Sequence, residues 1–430
     1  MPPRVAATTH IGGPITLLDA LSLPGDTLLA VLTAGTGDLL VVPLVAEDGG
    51  TIRRAAPGDG AFAGIVAMLR AGSAVGRFSP RVFCQVPAGG DEVAIDVDQS
   101  NESVVVAGRS VVKLYPTTAP GPQPGLDVPA HLSAVGFTAT PTPFGALTWR
   151  GADDEPALLA SLAAYAPGAR DGWDWFVEVL IAALDRDDGR EAGDAVDAID
   201  AIDAVAPAGA IGALVARLHL ALASPSAVFP SPVTTASRAT IGGWHQRALA
   251  SLHDALELTS GGTGARLRAL APTIRSALAP LATIDTTPTM RIHGDLHVGQ
   301  ILSTGAGYLV SDFDGDPLAP AAERTAPDAP ARDVAAMTRA LDHVGRIVQR
   351  QRPGNDDRVD GWIADARSTF LTVYRASLGE RGPELLDERL LAPFEVAQEC
   401  HEYVYAARFL PGWRSVPDRA MPALLAQLIR

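Results

Sequence analysis

Two short acidic motifs supply the residue types that transfer of a phosphoryl group requires. They read HGDLHVGQ and DFDGD, and they begin at residues 293 and 312. Such a transfer needs one carboxylate to orient the attacking hydroxyl and accept its proton, and separate oxygen ligands to hold magnesium against the phosphates. We assign the first role to Asp295 and the metal-ligand role to Gln300 and Asp312, with Asp314 as a helper.

The spacing of these residues matches the spacing in protein kinases. Gln300 follows Asp295 by five residues, where protein kinases carry a metal-binding Asn, and Asp312 takes the place of the DFG aspartate. The run ATIDTTPTMRI before the first motif and the run GYLVSDF into the second have the apolar and β-branched residues of strands. Either motif alone is equally well explained as a turn or a solvated acidic loop. Both together, in this order, favour carboxylates that converge on one site.

Lys113 is the one lysine of the chain, because every other member of the 34 Lys and Arg residues is arginine. It lies in SVVVAGRSVVKLY, two apolar β-rich runs split by Ala107–Gly108, which predicts a hairpin. A kinase uses a strand lysine as a compact point charge on the α- and β-phosphates, a role that the forked guanidinium of Arg fills poorly. The alternative is that Lys113 is a chance survivor of coding bias.

A polar segment, DQSNES, leads into the first strand of this hairpin and is a candidate phosphate-binding loop. We assign nucleotide contacts to Ser100, Asn101 and Ser103, although the segment is not a G-x-G-x-x-G or Walker sequence and alone is more often an ordinary turn. Asp127 is the nearest acidic residue after the hairpin that can pair with Lys113, as the αC glutamate of kinases does. A helix N-cap explains Asp127 equally well.

Composition limits the classes of partner. The 430 residues are 47% hydrophobic, which is enough for a large core in two or three domains. A net charge of −15 argues against nucleic acid or an anionic membrane as partner. Cys84 and Cys400 indicate neither a disulfide framework nor a zinc site. With no apolar run of membrane-spanning length, we expect a cytoplasmic protein that is a monomer or a weak homodimer.

The pattern of runs predicts an α+β fold with three parts. Residues 1–89 read as a β-rich cap domain that contains one helix, AFAGIVAMLR. Residues 90–165 read as a small lobe with the nucleotide-binding strands, and residues 166–430 as a mostly helical large lobe with the catalytic and substrate-binding residues.

From about Ile15 to Pro417 the chain resembles the actinobacterial maltokinases and their relatives, the glucosamine kinases. The resemblance rests on HGDLHVGQIL, DFDGDP, DQSNES, VVKLY and the closing run QECHEYVYAARFLPGW. It implies a two-lobed, protein-kinase-like fold of the aminoglycoside phosphotransferase type with an added N-terminal cap. It also implies ATP and Mg²⁺ as cofactors and a small-molecule sugar as the phosphate acceptor.

Departures from the maltokinase pattern bear on which sugar is phosphorylated. Glu402 matches the first glutamate of a maltokinase pair, Ala406 replaces the second, and an additional acid, Glu399, precedes Glu402 by three residues on the same helix face. Two carboxylates suit the ammonium of glucosamine, whereas maltose has none. We therefore expect Glu399 and Glu402 to bind substrate together with Asp295, His297 and Trp413.

Alternatives remain at this point. Glu399 and Glu402 are also explained as a solvated helix face, and His297 as a packing residue. The protein can be a maltokinase that forms maltose 1-phosphate, or a catalytically inactive kinase fold that serves as a binding module. Lys113, Asp295, Gln300 and Asp312 together speak against the inactive module.

Overall fold

The structure is a computed structural model that describes residues 15–34, 39–47, 50–95, 101–152, 154–187 and 203–429. The chain divides into two compact units. The first comprises Pro3–Gly168 together with Ser226–Val228, and the second comprises Ala169–Pro225 and Phe229–Arg430. None of the described helices is long and apolar enough to cross a bilayer.

The first unit is built mainly from antiparallel strands. In chain order its elements are β1 (Thr16–Ser22), β2 (Thr27–Thr33), β3 (Leu39–Ala46), β4 (Ile52–Arg54), α1 (Ala61–Ala71), β5 (Phe78–Val82), β6 (Glu92–Ala94), β7 (Glu102–Val106), β8 (Ser110–Leu114), β9 (Thr117–Thr118), α2 (Pro124–Ala134), β10 (Pro143–Arg150) and β11 (Pro156–Ala164).

The N-terminal sheet has the order β1-β2-β3-β4, with β9 added to β3. Three consecutive residues in the middle of β2, Leu29, Ala30 and Val31, are fully buried, and Leu29 and Val31 belong to the hydrophobic core. The predicted helix AFAGIVAMLR is confirmed as α1, which buries Phe62 and Ile65 in the same core and ends at Gly72 with a left-handed φ of 68°.

The second sheet of this unit has the order β5-β10-β11-β8-β7-β6 among the described strands. The predicted hairpin is confirmed: β7 and β8 join through Ala107 and Gly108, whose φ angles of 55° and 61° with the Arg109 N–H to Val106 carbonyl bond make a type I′ turn. Strand β5 falls within residues 1–89 yet pairs with β10. The division into a cap and a small lobe therefore stays a prediction.

The second unit is mostly helical. Its elements are β12 (Arg170–Asp171), α3 (Gly172–Asp187), α4 (Ala206–Leu222), β13 (Thr234–Ser237), α5 (Arg238–Leu258), α6 (Gly261–Leu278), β14 (Thr286–Thr289), β15 (Ile301–Thr304), β16 (Gly307–Val310), α7 (Ala321–Arg324), α8 (Pro330–Gln351), α9 (Asp356–Leu378), α10 (Gly382–Leu385), α11 (Leu391–Arg408) and α12 (Ser415–Ile429).

Helix boundaries in the second unit follow familiar end signals. Ser237 precedes α5 and its hydroxyl accepts a hydrogen bond from the backbone N–H of Thr240. Helix α8 begins at Pro330, whose fixed φ and missing N–H suit the first helical position. Helix α8 is buried along most of its length and packs against α3, α9, α11 and α12, so it forms the centre of this unit.

Two small sheets frame the loops that carry the acidic motifs. Strands β12, β15 and β16 form one sheet, and β13 pairs with β14 in the other. Strand β14 leads into the first motif and β16 into the second, which confirms the strands predicted there.

Candidate active site

Asp295 lies in a loop that follows β14 and is fixed by backbone hydrogen bonds. Gly294 before it has a φ of 83°, a conformation that favours glycine. The carboxylate of Asp333, in the first turn of α8, accepts the backbone N–H groups of His293 at 2.8 Å and Gly294 at 3.0 Å. Asp295 itself is half-buried, so the loop is held rigidly while its catalytic candidate keeps access to solvent.

Asp333 is fully buried and has a second partner that keeps it ionised. Nε2 of His219 donates to it at 3.2 Å, and Nδ1 of His219 accepts from the hydroxyl of Tyr374 at 2.7 Å. Burial alone would raise the pKa of Asp333, but the hydrogen bonds from His219 and from the backbone N–H of Gly294 help to outweigh it, and the pKa is lowered. The loop is therefore anchored on a carboxylate rather than on a neutral acid.

His293 joins the two acidic motifs. Its Nε2 donates to the backbone carbonyl of Ser311 at 2.9 Å, and its Nδ1 accepts the backbone N–H of Asp295 at 3.4 Å. Its ring also packs beside Phe313, with ring centroids 5.1 Å apart. One side chain of the first motif therefore contacts the backbone just before the second motif and a ring within it.

Gln300 and Asp312, the predicted metal ligands, are brought together by the pairing of β15 with β16. The carbonyl of Gln300 accepts the backbone N–H of Ser311 at 2.9 Å, and Asp312 is the next residue. Asp312 is exposed and has a φ of 62°, a left-handed conformation that costs a non-glycine residue about 1 kcal/mol. Asp314 is half-buried one residue beyond Phe313.

In the part of the chain that the structure describes, no three His, Cys, Asp or Glu side chains converge as a metal site. Magnesium is usually held by one or two carboxylates together with substrate phosphates and water, and the residue types of Gln300 and Asp312 fit such a site. The amide oxygen of Gln300 and the carboxylate of Asp312 are hard oxygen donors of that kind.

An aromatic wall adjoins the catalytic loop. His297 accepts the Gly299 N–H at 3.0 Å through Nδ1, lies 3.4 Å from the Gln300 amide, and faces the ring of Trp173 at 5.9 Å. A Cβ on Gly299 would meet both His297 and Trp173 at 2.7 Å, so only glycine fits there without displacing a ring. The sequence prediction missed Trp173, because nothing local in GWDWF distinguishes it from a core residue.

Trp413 continues this wall toward Glu402. The rings of Trp173 and Trp413 meet edge to face at 5.5 Å. The indole N–H of Trp413 donates to one oxygen of Glu402 at 3.0 Å, and the side chain of Gln398 donates to the other at 3.2 Å. The prediction also missed Gln398, although its place one helical turn before Glu402 was a usable signal.

Glu399 requires a correction. Its side chain is fully buried, and its oxygens accept from Nε of Arg339 at 2.9 Å and from Nε2 of His343 at 3.0 Å. Glu402, by contrast, is half-exposed. The two acids lie on α11 as the spacing predicted, but Glu399 has no exposed oxygen for a substrate, and the proposed pair of substrate acids reduces to Glu402.

The residues predicted to bind nucleotide lie in the first unit. Ser103 of β7 is paired directly with Lys113 of β8, so the two share one face of the sheet, and the Lys113 ammonium lies 5.7 Å from the ring of Tyr115. Asn101 precedes β7, and Asp127 is in the first turn of α2. Ser100 falls outside the described residues.

Comparisons with known proteins show which family the chain resembles over nearly its full length. A glucosamine kinase of Streptacidiphilus jiangxiensis is 38% identical over 432 aligned residues, which cover 99% of this chain and 94% of that protein. A glucosamine kinase of Mycolicibacterium smegmatis (strain ATCC 700084 / mc(2)155) is 35% identical over 422 residues, covering 95% of this chain and 98% of that one. No protein-family model matches the chain.

The chain is also similar to solved structures of glucosamine kinases. A crystal form of a glucosamine kinase has a TM-score of 0.83 at 37% identity and covers 98% of this chain and 96% of that one. A glucosamine kinase in complex with glucosamine, ADP and inorganic phosphate has a TM-score of 0.80 at 38% identity, with 97% and 96% covered.

The fold and the site thus define a phosphotransferase of the small-molecule kinase class, and the α+β class predicted from the sequence is confirmed. At this level of identity over nearly full length, the chain belongs to the glucosamine kinase family. The resemblance noted from the motifs is confirmed with it.

Proposed function

We propose that this protein transfers the γ-phosphoryl group of ATP to glucosamine and forms glucosamine 6-phosphate. The observation that carries the proposal is the setting of Glu402. Its carboxylate is half-exposed, is oriented by two neutral donors, and belongs to the same unit as the catalytic loop. A carboxylate held in this way suits the ammonium of an amino sugar. Membership of the glucosamine kinase family supports the same substrate.

Asp295 orients the sugar hydroxyl and accepts its proton late in the reaction. Phosphoryl transfer asks for little covalent chemistry from a protein, because its transition state is loose and its charge is spread over phosphate oxygens. The main requirement is that acceptor and donor are held in line, which places the demand on the rigidity of the loop. The hydrogen bonds of Asp333 to His293 and Gly294 supply that rigidity.

Gln300 and Asp312 would hold magnesium, with Asp314 assisting. When bound, the metal neutralises charge on the β- and γ-phosphates. In the first unit, Lys113 would steady the α- and β-phosphates, with Ser100, Asn101 and Ser103 as further nucleotide contacts and Asp127 as the acidic partner of Lys113. The pairing of Ser103 with Lys113 supports this assignment, since it puts a residue with a hydroxyl donor and a residue with an ammonium on the same face of the sheet.

The rings of Trp173, His297 and Trp413 would pack against the apolar face of the sugar. Aromatic rings bury a large area at little entropic cost, and the polar edge of Trp413 is used to orient Glu402. Ala406, where a maltokinase has its second glutamate, is buried and offers no polar group to a second sugar ring. We propose that the enzyme works in the cytoplasm, where ATP is available, as a monomer or a weak homodimer.

A substrate panel tests this function. Glucosamine, glucose and maltose are each supplied with ATP and Mg²⁺, and kcat/KM is measured from ADP release. We expect the highest value for glucosamine, with the phosphate on the 6-position by ³¹P and ¹H NMR. A preference for maltose would contradict the proposal. If none of the sugars raises ADP release above the rate without sugar, the result would favour the inactive binding module.

A further inference from the structure

A group of ionised side chains lies behind Glu402, between α8, α9 and α11. We call it the ion cluster. Its cationic members are Arg339, His343, Arg346 and Arg367. Its carboxylates are Asp342, Asp360, Glu395 and Glu399.

Glu399 is the member of the ion cluster that lies nearest along α11 to Glu402. Its carboxylate accepts hydrogen bonds from Nε of Arg339 at 2.9 Å and from Nε2 of His343 at 3.0 Å, and all three side chains are 3% exposed or less. Arg339 also forms a salt bridge with Asp342. A second oxygen of Asp342 lies 3.1 Å from the guanidinium of Arg346. Charges this far from water are tolerated only when they are paired and hydrogen-bonded.

The charges of the ion cluster balance when His343 is protonated, because four cations then face four carboxylates. Burial alone would lower the pKa of His343, but the charge and hydrogen bond of Glu399 raise it above its ordinary value. The cluster therefore reaches neutrality without Glu402.

Glu402 lies next to this cluster but does not belong to it. Among the described residues its hydrogen bonds come from the neutral groups of Trp413 and Gln398. The ring of Trp413, whose N–H bonds Glu402, also packs edge to face against the ring of His343, with the two ring centroids 5.9 Å apart at 90°. Glu402 is nevertheless close enough for its charge to contribute to the raised pKa of His343. His343 is thus attracted to the charge of Glu402 but is hydrogen-bonded to Glu399 instead.

We infer that Glu399 is an internal counter-ion that determines specificity: it engages Arg339 and His343 so that the charge of Glu402 is left for the ammonium of the substrate. This inference rests on the proposed function. Glu399 is a positioning residue, since it acts through Glu402 and touches no substrate. It also explains why an acid predicted to bind the amino sugar is instead buried beside the residue that does.

Replacing Glu399 by Gln tests the inference, because it removes one negative charge at nearly constant shape. His343 then lacks its counter-ion, and Arg339 keeps only Asp342, which it shares with Arg346. The nearest remaining carboxylate on the same helix is Glu402, one turn further on. We expect the preference for glucosamine over glucose, measured as the ratio of the two dissociation constants with ADP bound and as the ratio of kcat/KM, to fall about ten-fold. Glucose affinity should change little, since glucose carries no charge.

The double variant His343→Gln with Glu399→Gln is the decisive control, because it removes one cation and one anion and restores the balance. We expect it to recover most of the preference that Glu399→Gln loses. Glu395→Gln is the matched control for loss of a carboxylate. Glu395 lies on the same helix two turns from Glu402, bonds Thr338 and Arg367, and its replacement should leave the preference within about two-fold.

The outcomes separate the inference from the proposed function. If the unaltered protein does not favour glucosamine, the proposed function fails. If it does, and Glu399→Gln keeps the preference, the inference is overturned, as it is when the double variant is no better than the single one. If circular dichroism shows that Glu399→Gln does not fold, the single variant His343→Gln tests the inference instead. Its preference for glucosamine should be kept or increased. A loss of that preference would overturn the inference.

Discussion

The carboxylate of Asp333 accepts the backbone N–H of His293 at 2.8 Å, although the two residues are 40 positions apart. The contact anchors the catalytic loop on the central helix α8. Replacing Asp333 by Asn turns an amide group toward N–H donors and removes a buried charge that pairs with His219. We expect a loss of about 3 kcal/mol in the free energy of unfolding and a fall in kcat, measured by urea denaturation and steady-state kinetics.

The lowered pKa of Asp333 gives this loss a pH dependence. A carboxylate whose pKa is lower in the folded state contributes stability above its unfolded pKa, and that contribution is lost as the pH falls through the folded value. The difference in stability between the protein and Asp333→Asn should therefore shrink below pH 4. A constant difference down to pH 2 would contradict this role for the charge.

Asp295→Asn should abolish turnover while nucleotide binding persists. The amide can orient a hydroxyl but cannot accept its proton, and such a loss typically costs 10² to 10⁴ in rate, so we expect a fall of about 10³ in kcat. Binding of ADP with Mg²⁺ is followed by calorimetry. Asp285→Asn, at an exposed acid that pairs with Arg238, is the control and should match the parent protein. Unchanged turnover in Asp295→Asn would remove this residue from its role.

Trp413→Phe keeps an aromatic ring but removes the N–H that orients Glu402. Loss of one hydrogen bond of about 1 kcal/mol to a carboxylate should raise KM for glucosamine about five- to ten-fold and leave kcat nearly unchanged. Trp362→Phe is the matched control, since it also deletes an indole hydrogen bond, here a structural one to the carbonyl of Ala204. That variant should lose stability without a change in KM. Equal KM values in both variants would argue against the contact with Glu402.

Gly299→Ala should disturb the aromatic wall. The added Cβ would meet His297 and Trp173 at 2.7 Å, so at least one ring must move. We expect a loss of sugar affinity together with a change in tryptophan fluorescence. Gly242→Ala in α5 is the control, because a Cβ there meets nothing within 4 Å and alanine favours a helix by about 1 kcal/mol. The control should be as active as the parent and slightly more stable.

His343 gives stability a dependence on alkaline pH. Its pKa is raised in the folded state, so its contribution is full below the unfolded value near 6.5 and is lost as the pH rises through the folded value. The protein should therefore lose thermal stability relative to His343→Gln as the pH increases from 6 to 9. Parallel melting curves across this range would mean that folding does not raise the pKa of His343.

Local patterns in the sequence were enough to predict the helix and strands around the site. Helix α1, the hairpin of β7 and β8, and the strands that lead into both motifs follow from the spacing of apolar residues and from turn residues such as Gly108. These features are encoded within a dozen neighbouring residues. The same holds for Gln300 and Asp312, whose approach follows from a short hairpin.

Contacts over long separations explain what the sequence did not indicate. Glu399 meets Arg339 and His343 from 60 and 56 residues away, so its burial could not be inferred from the helix face on which it lies. Trp173 reaches the site because its helix follows a strand that pairs with β15, more than 100 positions later. The pairing of β5 with β10 also joins residues far apart in the sequence, so local patterns did not indicate it.

Lys113 lies mid-strand on β8, half-buried, with Ser103 opposite it on one side and Ser161 on the other. Since it is the one lysine in the sequence, acylating reagents have a single side-chain amine to modify. Mass spectrometry of one peptide can therefore read out how far this amine is shielded, and titration with nucleotide would turn that labelling rate into an occupancy curve without any engineered probe.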